Sequence, residues 1–115
     1  MAEYLVEGWT AAIDYILKTQ AVDATEATAY ALNGHAVSIQ VCPKGSTTPL
    51  TLIGTTTVSS DTTGDDVGLV AYKPGAGELL NSQSPYRVRY RVTDGNGKVA
   101  YFPNGLPVEW VVRKP

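Results

Sequence analysis

The stretch Tyr86-Arg-Val-Arg-Tyr-Arg-Val92 constrains this chain more than any other, because Tyr86, Val88, Tyr90 and Val92 alternate strictly with Arg87, Arg89 and Arg91. Successive side chains of a strand point to opposite faces, so the pattern predicts a strand with one apolar, buried face and one cationic, solvated face. After Thr93, the glycines and Asn of Asp94-Gly-Asn-Gly97 tolerate the positive φ angles of a tight turn, and Lys98-Val-Ala-Tyr-Phe102 supplies a returning strand. Together they predict a hairpin. Pro103-Asn-Gly105 ends it, since proline donates nothing to a ladder, and after Pro107 the residues Val108, Trp110 and Val112 share one face of a last strand.

Upstream the same rhythm recurs. Val37, Ile39 and Val41 alternate with Ser38, Gln40 and Cys42, and Pro43-Lys-Gly-Ser46 closes that strand. Residues 50–58, rich in Thr, Leu and Ile, and residues 67–72, short and apolar, read as strands separated by the Ser/Asp/Thr/Gly run of residues 59–66. Residues 78–81 have room for one helical turn before Ser84-Pro85 opens the long strand. Near the amino terminus, Trp9, Ile13, Ile16 and Leu17 fit a helical face while Ile13, Tyr15 and Leu17 fit a strand face; the strand is the preferred reading. Asp23-Ala-Thr-Glu26 has the form of a capping box opening a helix over residues 24–32, with Asn33-Gly34 as its stop, and it equally suits a loop into the next strand.

Short strands at turn-punctuated spacing predict an all-β protein, an immunoglobulin-like antiparallel β-sandwich of about seven strands with at most one short helix. The Cys-Trp-Cys signature of antibody domains is absent, because Cys42 is the only cysteine. A length of 115 residues suits one domain. Residues 1–8 are expected to form an amino-terminal arm or edge strand, and residues 9–115 the single sandwich domain. With 43% hydrophobic and 17% charged residues the chain has material for a packed core.

Charge and composition remove several function classes. A net charge of −2 offers no general attraction to nucleic acid or to anionic membranes. One Cys and one His allow neither an intrachain disulfide nor a Cys/His zinc site. The amino terminus lacks a basic leader and an apolar block, and no window carries the apolar run of a membrane span. The expectation is a soluble chain not exported by the ordinary route.

The candidate chemistry is sparse. His35 at the Asn33-Gly34 turn would need an orienting carboxylate or a nucleophile to act as a base. Asp14, Asp61, Asp65, Asp66 and Asp94 lie mostly in turn contexts, and Asp61-Thr-Thr-Gly-Asp-Asp66 departs from the EF-hand spacing and lacks a closing Glu. Gly75 and Gly77 are too few for a phosphate cradle. No catalytic, metal or cofactor-binding residue is therefore assigned. The arginine stripe suits an acidic partner or, more simply, a solvated or carboxylate-paired face; Tyr86 and Tyr90 point away from it, which disfavours a combined stacking and charge platform for nucleic acid. Trp110 is in phase with the core, Trp9 divides evenly between core and interface, and Cys42 reads as an inert small residue.

Written as one unit, Ser84-Pro-Tyr-Arg-Val-Arg-Tyr-Arg-Val-Thr-Asp-Gly-Asn-Gly-Lys-Val-Ala-Tyr-Phe-Pro-Asn104 resembles the closing hairpin of the immunoglobulin-like amino-terminal domain of siphophage baseplate upper proteins. Those domains carry a Tyr-containing strand, a Thr-Asp-x-x-Gly turn and a Phe-Pro ending before a last apolar strand. Leu32-Asn-Gly34 before residues 37–41, and Asp61-Thr-Thr-Gly64 before residues 67–72, are softer matches. The likeness spans residues 32–112, with its specific part at residues 84–103, and residues 1–31 match nothing in the family. Family members usually continue into a coiled coil or a further domain, whereas this chain ends at Pro115. The resemblance therefore implies a stand-alone module, closer to a small decoration, neck or tail-surface protein than to a two-ended adaptor.

What it implies for function is a non-enzymatic virion structural protein of a bacteriophage, a tail, baseplate or capsid-decoration component assembled in the host cytoplasm. It would act through contacts with other virion proteins, self-association following the particle's symmetry, without nucleic acid, membrane or cofactor. Tyr4, Leu5, Val6 and Trp9 are the partner-binding candidates, the first three in an arm able to add a strand to a neighbouring subunit. The alternative is a carbohydrate- or cell-surface-binding immunoglobulin-like module using Trp9 and exposed tyrosines.

Overall fold

Among the described residues ten strands carry the architecture: β1 (Ala2–Val6), β2 (Ile13–Ile16), β3 (Lys18–Thr19), β4 (Thr28–Ala29), β5 (Ala36–Cys42), β6 (Thr55–Val58), β7 (Leu69–Lys73), β8 (Tyr86–Thr93), β9 (Val99–Phe102) and β10 (Val108–Arg113). They belong to a computed structural model that describes residues 2–19, 28–103 and 107–115. The proposed capping box at residues 23–26 lies outside the described residues. Residues 28–29, inside the stretch weighed as helix or loop, pair as β4 with β3.

Strand β8 organises the larger sheet. Along one side it pairs with all of β5, from Ala36 opposite Thr93 to Cys42 opposite Arg87. Along its other side two strands share the ladder: β9 covers residues 90–93, and β10 covers residues 86–88. Strand β9 ends at Phe102 and β10 begins at Val108, next to Pro103 and Pro107, neither of which can donate to a ladder. Strand β1 completes the order β1-β10-β8-β5. It runs parallel to β10, with Leu5 beside Val112, so the sheet is not purely antiparallel as expected from sequence.

The second sheet has the order β2-β7-β6 and antiparallel pairing throughout. Two sheets in this order form an immunoglobulin-like β-sandwich. Between them lies one apolar cluster that includes Leu5, Ile13, Leu17, Val41, Val70, Tyr72, Tyr86, Val88, Tyr90, Val92 and Trp110. The strand reading of residues 13–17 holds, with Ile13 and Leu17 in the core and Tyr15 stacked on Tyr90 at a centroid distance of 4.8 Å. Tyr72 likewise stacks on Trp110 at 5.9 Å.

Three boundaries differ from the sequence reading for physical reasons. Of residues 50–58 only Thr55–Val58 joins a ladder. The Leu50 N–H bonds to the Val41 carbonyl of the first sheet, while Thr55 pairs with Lys73 of the second, so residues 50–54 cross between layers. Residues 67–68 form a turn before β7: Gly68 has φ +77°, and an added Cβ would lie 2.7 Å from the Leu17 carbonyl oxygen and 2.9 Å from that of Tyr30. The helical turn is a 3₁₀ turn at Asn81–Gln83, displaced towards β8 from residues 78–81.

That turn is held by a tyrosine corner, a feature of immunoglobulin-like sandwiches. The Tyr86 hydroxyl accepts from the Leu80 N–H at 2.9 Å and donates to Gln83 Oε1 at 3.1 Å. Asn81 adds a 2.8 Å bond from its side-chain amide to the Val112 carbonyl and a 3.0 Å bond from its N–H to Glu7 Oε1, which ties β1 and β10 to the corner.

Candidate functional site

Of the groups weighed for catalysis, His35 and Asp94 each hold a turn. His35 Nδ1 lies 2.8 Å from the Asn33 carbonyl, which only a protonated nitrogen satisfies. In the neutral ring Nε2 then accepts from the Tyr30 hydroxyl, 3.3 Å away. His35 thus staples residues 30–35, and no carboxylate orients it among the bonds described. Asp94 Oδ1 accepts from the N–H groups of Asn96 and Lys98 at 2.8 and 2.9 Å, closing the hairpin turn. Among the described residues no group of His, Cys, Asp and Glu is arranged to hold a metal ion, and no helix is long and apolar enough to cross a membrane.

A more informative carboxylate is one that sequence reading passed over. Half-buried Glu78 accepts from the Tyr72 hydroxyl, from the Ile53 N–H at 2.7 Å and from the Gly75 N–H at 3.2 Å. Burial, and then the hydrogen bond to Glu78, push the Tyr72 phenol well above its ordinary value. Its partners sit up to 25 residues away in sequence, so no local motif marks it. Tyr90 contrasts with Tyr72: its hydroxyl is buried without a partner among the described residues, as is Trp110 Nε1, and burial again raises the phenol's pKa.

The partner-binding candidates separate when placed in the fold. Tyr4 is 62% exposed and Val6 43% exposed on the edge strand β1, while Leu5 between them is 4% exposed and packed in the core. Leu5 is therefore corrected from a contact residue to a core residue, because β1 docks on β10 of its own chain and alternation turns Leu5 inward. Tyr4 lies under the Arg113 guanidinium, 5.1 Å from its ring centroid. Trp9 is half-buried against the core, and its indole N–H donates to the Ala11 carbonyl at 3.0 Å. Trp110 is fully buried.

The outer face of the five-stranded sheet gathers what remains. Opposite pairing puts Arg87 between Cys42 and Glu109, Arg89 beside Gln40, and Arg91 between Ser38 and Tyr101. The arginines are not simply solvated. Arg87 donates to the Ser46 carbonyl, and Arg89 donates to the Pro103 carbonyl at 2.9 Å, so both clamp loops that border the face. Two adjoining hollows share Arg87 and Thr47. One, of about 290 Å³, is lined by Gln40, Cys42, Pro49, Arg89 and Pro107 as well; the other, of about 440 Å³, by Lys44, Gly45, Pro85 and Glu109. Apolar side chains stand at either end of the face, Tyr4 and Val6 on β1, Val99 and Tyr101 on β9. A third hollow, about 340 Å³, opens between the sheets and is lined by Glu3, Asp14, Tyr15, Ile16, Lys18, Phe102 and Pro103.

Arginines held by loop carbonyls and flanked by exposed apolar groups are the side-chain types enriched where proteins meet, and among the described residues no nucleophile and base are brought together. No family model, no curated protein and no solved structure matches the chain.

Proposed function

We propose that this chain is a non-enzymatic structural protein of a phage virion, a component of the tail, baseplate or capsid decoration that works by protein–protein contact. The observation that carries the reading is the outer sheet face, where Tyr4, Val6 and Tyr101 expose large apolar area around clamped arginines. Aromatic residues and arginine are the side chains enriched where proteins meet. The hairpin resemblance over residues 84–103 supplies the class of assembly, and the tightly packed sandwich supplies a rigid frame for it. Carbohydrate binding gains nothing from Trp9, whose ring packs on the core and whose donor is already used.

The test is composition of the particle. Quantitative mass spectrometry of purified virions, with immunogold labelling, is expected to find the chain at a fixed copy number on the tail or capsid surface. A chain absent from particles, and found only free in the lysate, would overturn the reading.

A further inference from the structure

Strand β1 ends the larger sheet, and among the described residues no strand pairs with its far side. The Glu7 N–H bonds to the Arg113 carbonyl at 2.8 Å, and the polar backbone groups of successive strand residues point alternately to its two sides. Those of Glu3 and Leu5 therefore also face β10, while those of Ala2, Tyr4 and Val6 face the open edge. The Val6 carbonyl accepts from the Trp9 N–H at 3.0 Å, which marks where the open stretch ends. Tyr4 and Val6 stand on the solvent face, and neither is a charge or a proline of the kind that blunts an edge against pairing. The charges beside this edge are opposite in sign about its centre: Tyr4 lies beside Val111 of β10, Ala2 beside Glu109 and Val6 beside Arg113, with Glu109 and Arg113 both exposed. A two-fold axis through Tyr4, normal to the sheet, turns that asymmetry into complementarity. The row crossing the junction then runs Arg87, Glu109 and Ala2 of one copy, followed by Val6 and Arg113 of the other, and the dyad repeats it at the far end.

We propose that β1 pairs antiparallel with β1 of a second copy of this chain, Tyr4 opposite Tyr4, so that two five-stranded sheets join into one. The two tyrosines exchange both backbone hydrogen bonds, and Ala2 pairs with Val6 on either side of them. Their rings form a cross-strand aromatic pair, each with the Arg113 guanidinium of its own chain 5.1 Å from the centroid. The inference goes beyond the virion reading and does not require it.

Sedimentation equilibrium of the full chain from about 1 μM to 1 mM should show a monomer–dimer equilibrium. Tyr4→Lys sets like charges directly opposite one another and should raise the dissociation constant at least about ten-fold, and Arg113→Glu several-fold, with wild-type melting curves because both residues are exposed. A disulfide trap reads the register without relying on those variants. In a Cys42→Ser background, oxidised Tyr4→Cys should give a covalent dimer, its facing Cα atoms being about 5.5 Å apart. Val6→Cys should not cross-link, since four residues of offset leave its two copies about 14 Å apart. A wild-type chain monomeric throughout, wild-type association by folded Tyr4→Lys, or Val6→Cys cross-linking as readily as Tyr4→Cys would each overturn the inference. A dimeric chain missing from particles upholds it and sinks the virion reading alone.

Discussion

On the inner side of β8, Tyr86, Val88, Tyr90 and Val92 are at most 1% exposed, whereas on the outer side Arg87 is exposed and Arg89 and Arg91 are half-buried. The two faces belong to the same eight residues and answer to different forces. Inside, area removed from water and close packing dominate, so a lost side chain leaves a cavity. Outside, the arginines lie at the surface, where charge and hydrogen bonds are screened by water and contribute less to the fold than burial does. The difference teaches that this sandwich concentrates its stability on one side of a single backbone and leaves the other side open to substitution, and variants can break or sharpen that separation.

The largest effect is expected at Trp110, fully buried and stacked on Tyr72. Trp110→Ala should cost about 3–5 kcal/mol in urea unfolding, and a cost under about 1 kcal/mol would break the inner half of the comparison. Tyr72→Phe comes next. It strips the hydroxyl that donates to Glu78 and accepts from the Gly54 N–H, and should cost about 2 kcal/mol by the same measurement.

Alkaline pH tests the buried phenols together. Tyr72, Tyr90, Tyr86 and Tyr15 all have folded-state pKa values raised above 10.0, with burial the leading cause. A raised folded value means the native state holds its proton more tightly than the unfolded chain. The stabilisation is complete below the unfolded value near 10 and is lost as pH climbs towards the folded ones. Tyr90 alone should contribute a slope of about 1.4 kcal/mol per pH unit above pH 10, read from urea midpoints. Flat stability from pH 9 to 11 would contradict the sealed core.

Tyr90→Phe should run the other way. Its hydroxyl is buried and unpaired among the described residues, so removing it is expected to add about 1 kcal/mol, and a loss of similar size would mean the hydroxyl has a partner. Smallest is Tyr4→Ser on the outer face, expected to change unfolding by less than about 0.5 kcal/mol while lowering recovery of the chain in particles.

Much of the fold was legible because period-two patterning is local. Residues 86–102 and 108–112 announce their faces by alternation, and Trp110 takes its buried place from its phase with Val108 and Val112. What escaped depends on distant partners. The parallel docking of β1 on β10 turns Leu5 inward while leaving Tyr4 and Val6 out, and no residue in 1–8 encodes that register by itself. It also changes the expectation for the amino-terminal arm: removing β1 takes Leu5 from the core, so truncation is expected to destabilise the domain rather than leave it intact.

The candidate site was half legible in the same way. Alternation put the arginines outside, but the carbonyls of Ser46 and Pro103 that hold them come from loops 41 and 14 residues away. Glu78 was invisible because its importance lies in three donors that converge only after folding.

An alanine scan of residues 86–92, read as unfolding free energy, tests the central claim most directly. The account predicts a sawtooth, with costs of about 2–5 kcal/mol at Tyr86, Val88, Tyr90 and Val92 and under about 1 kcal/mol at Arg87, Arg89 and Arg91. A level profile, or one with the arginines as the costly positions, would contradict it.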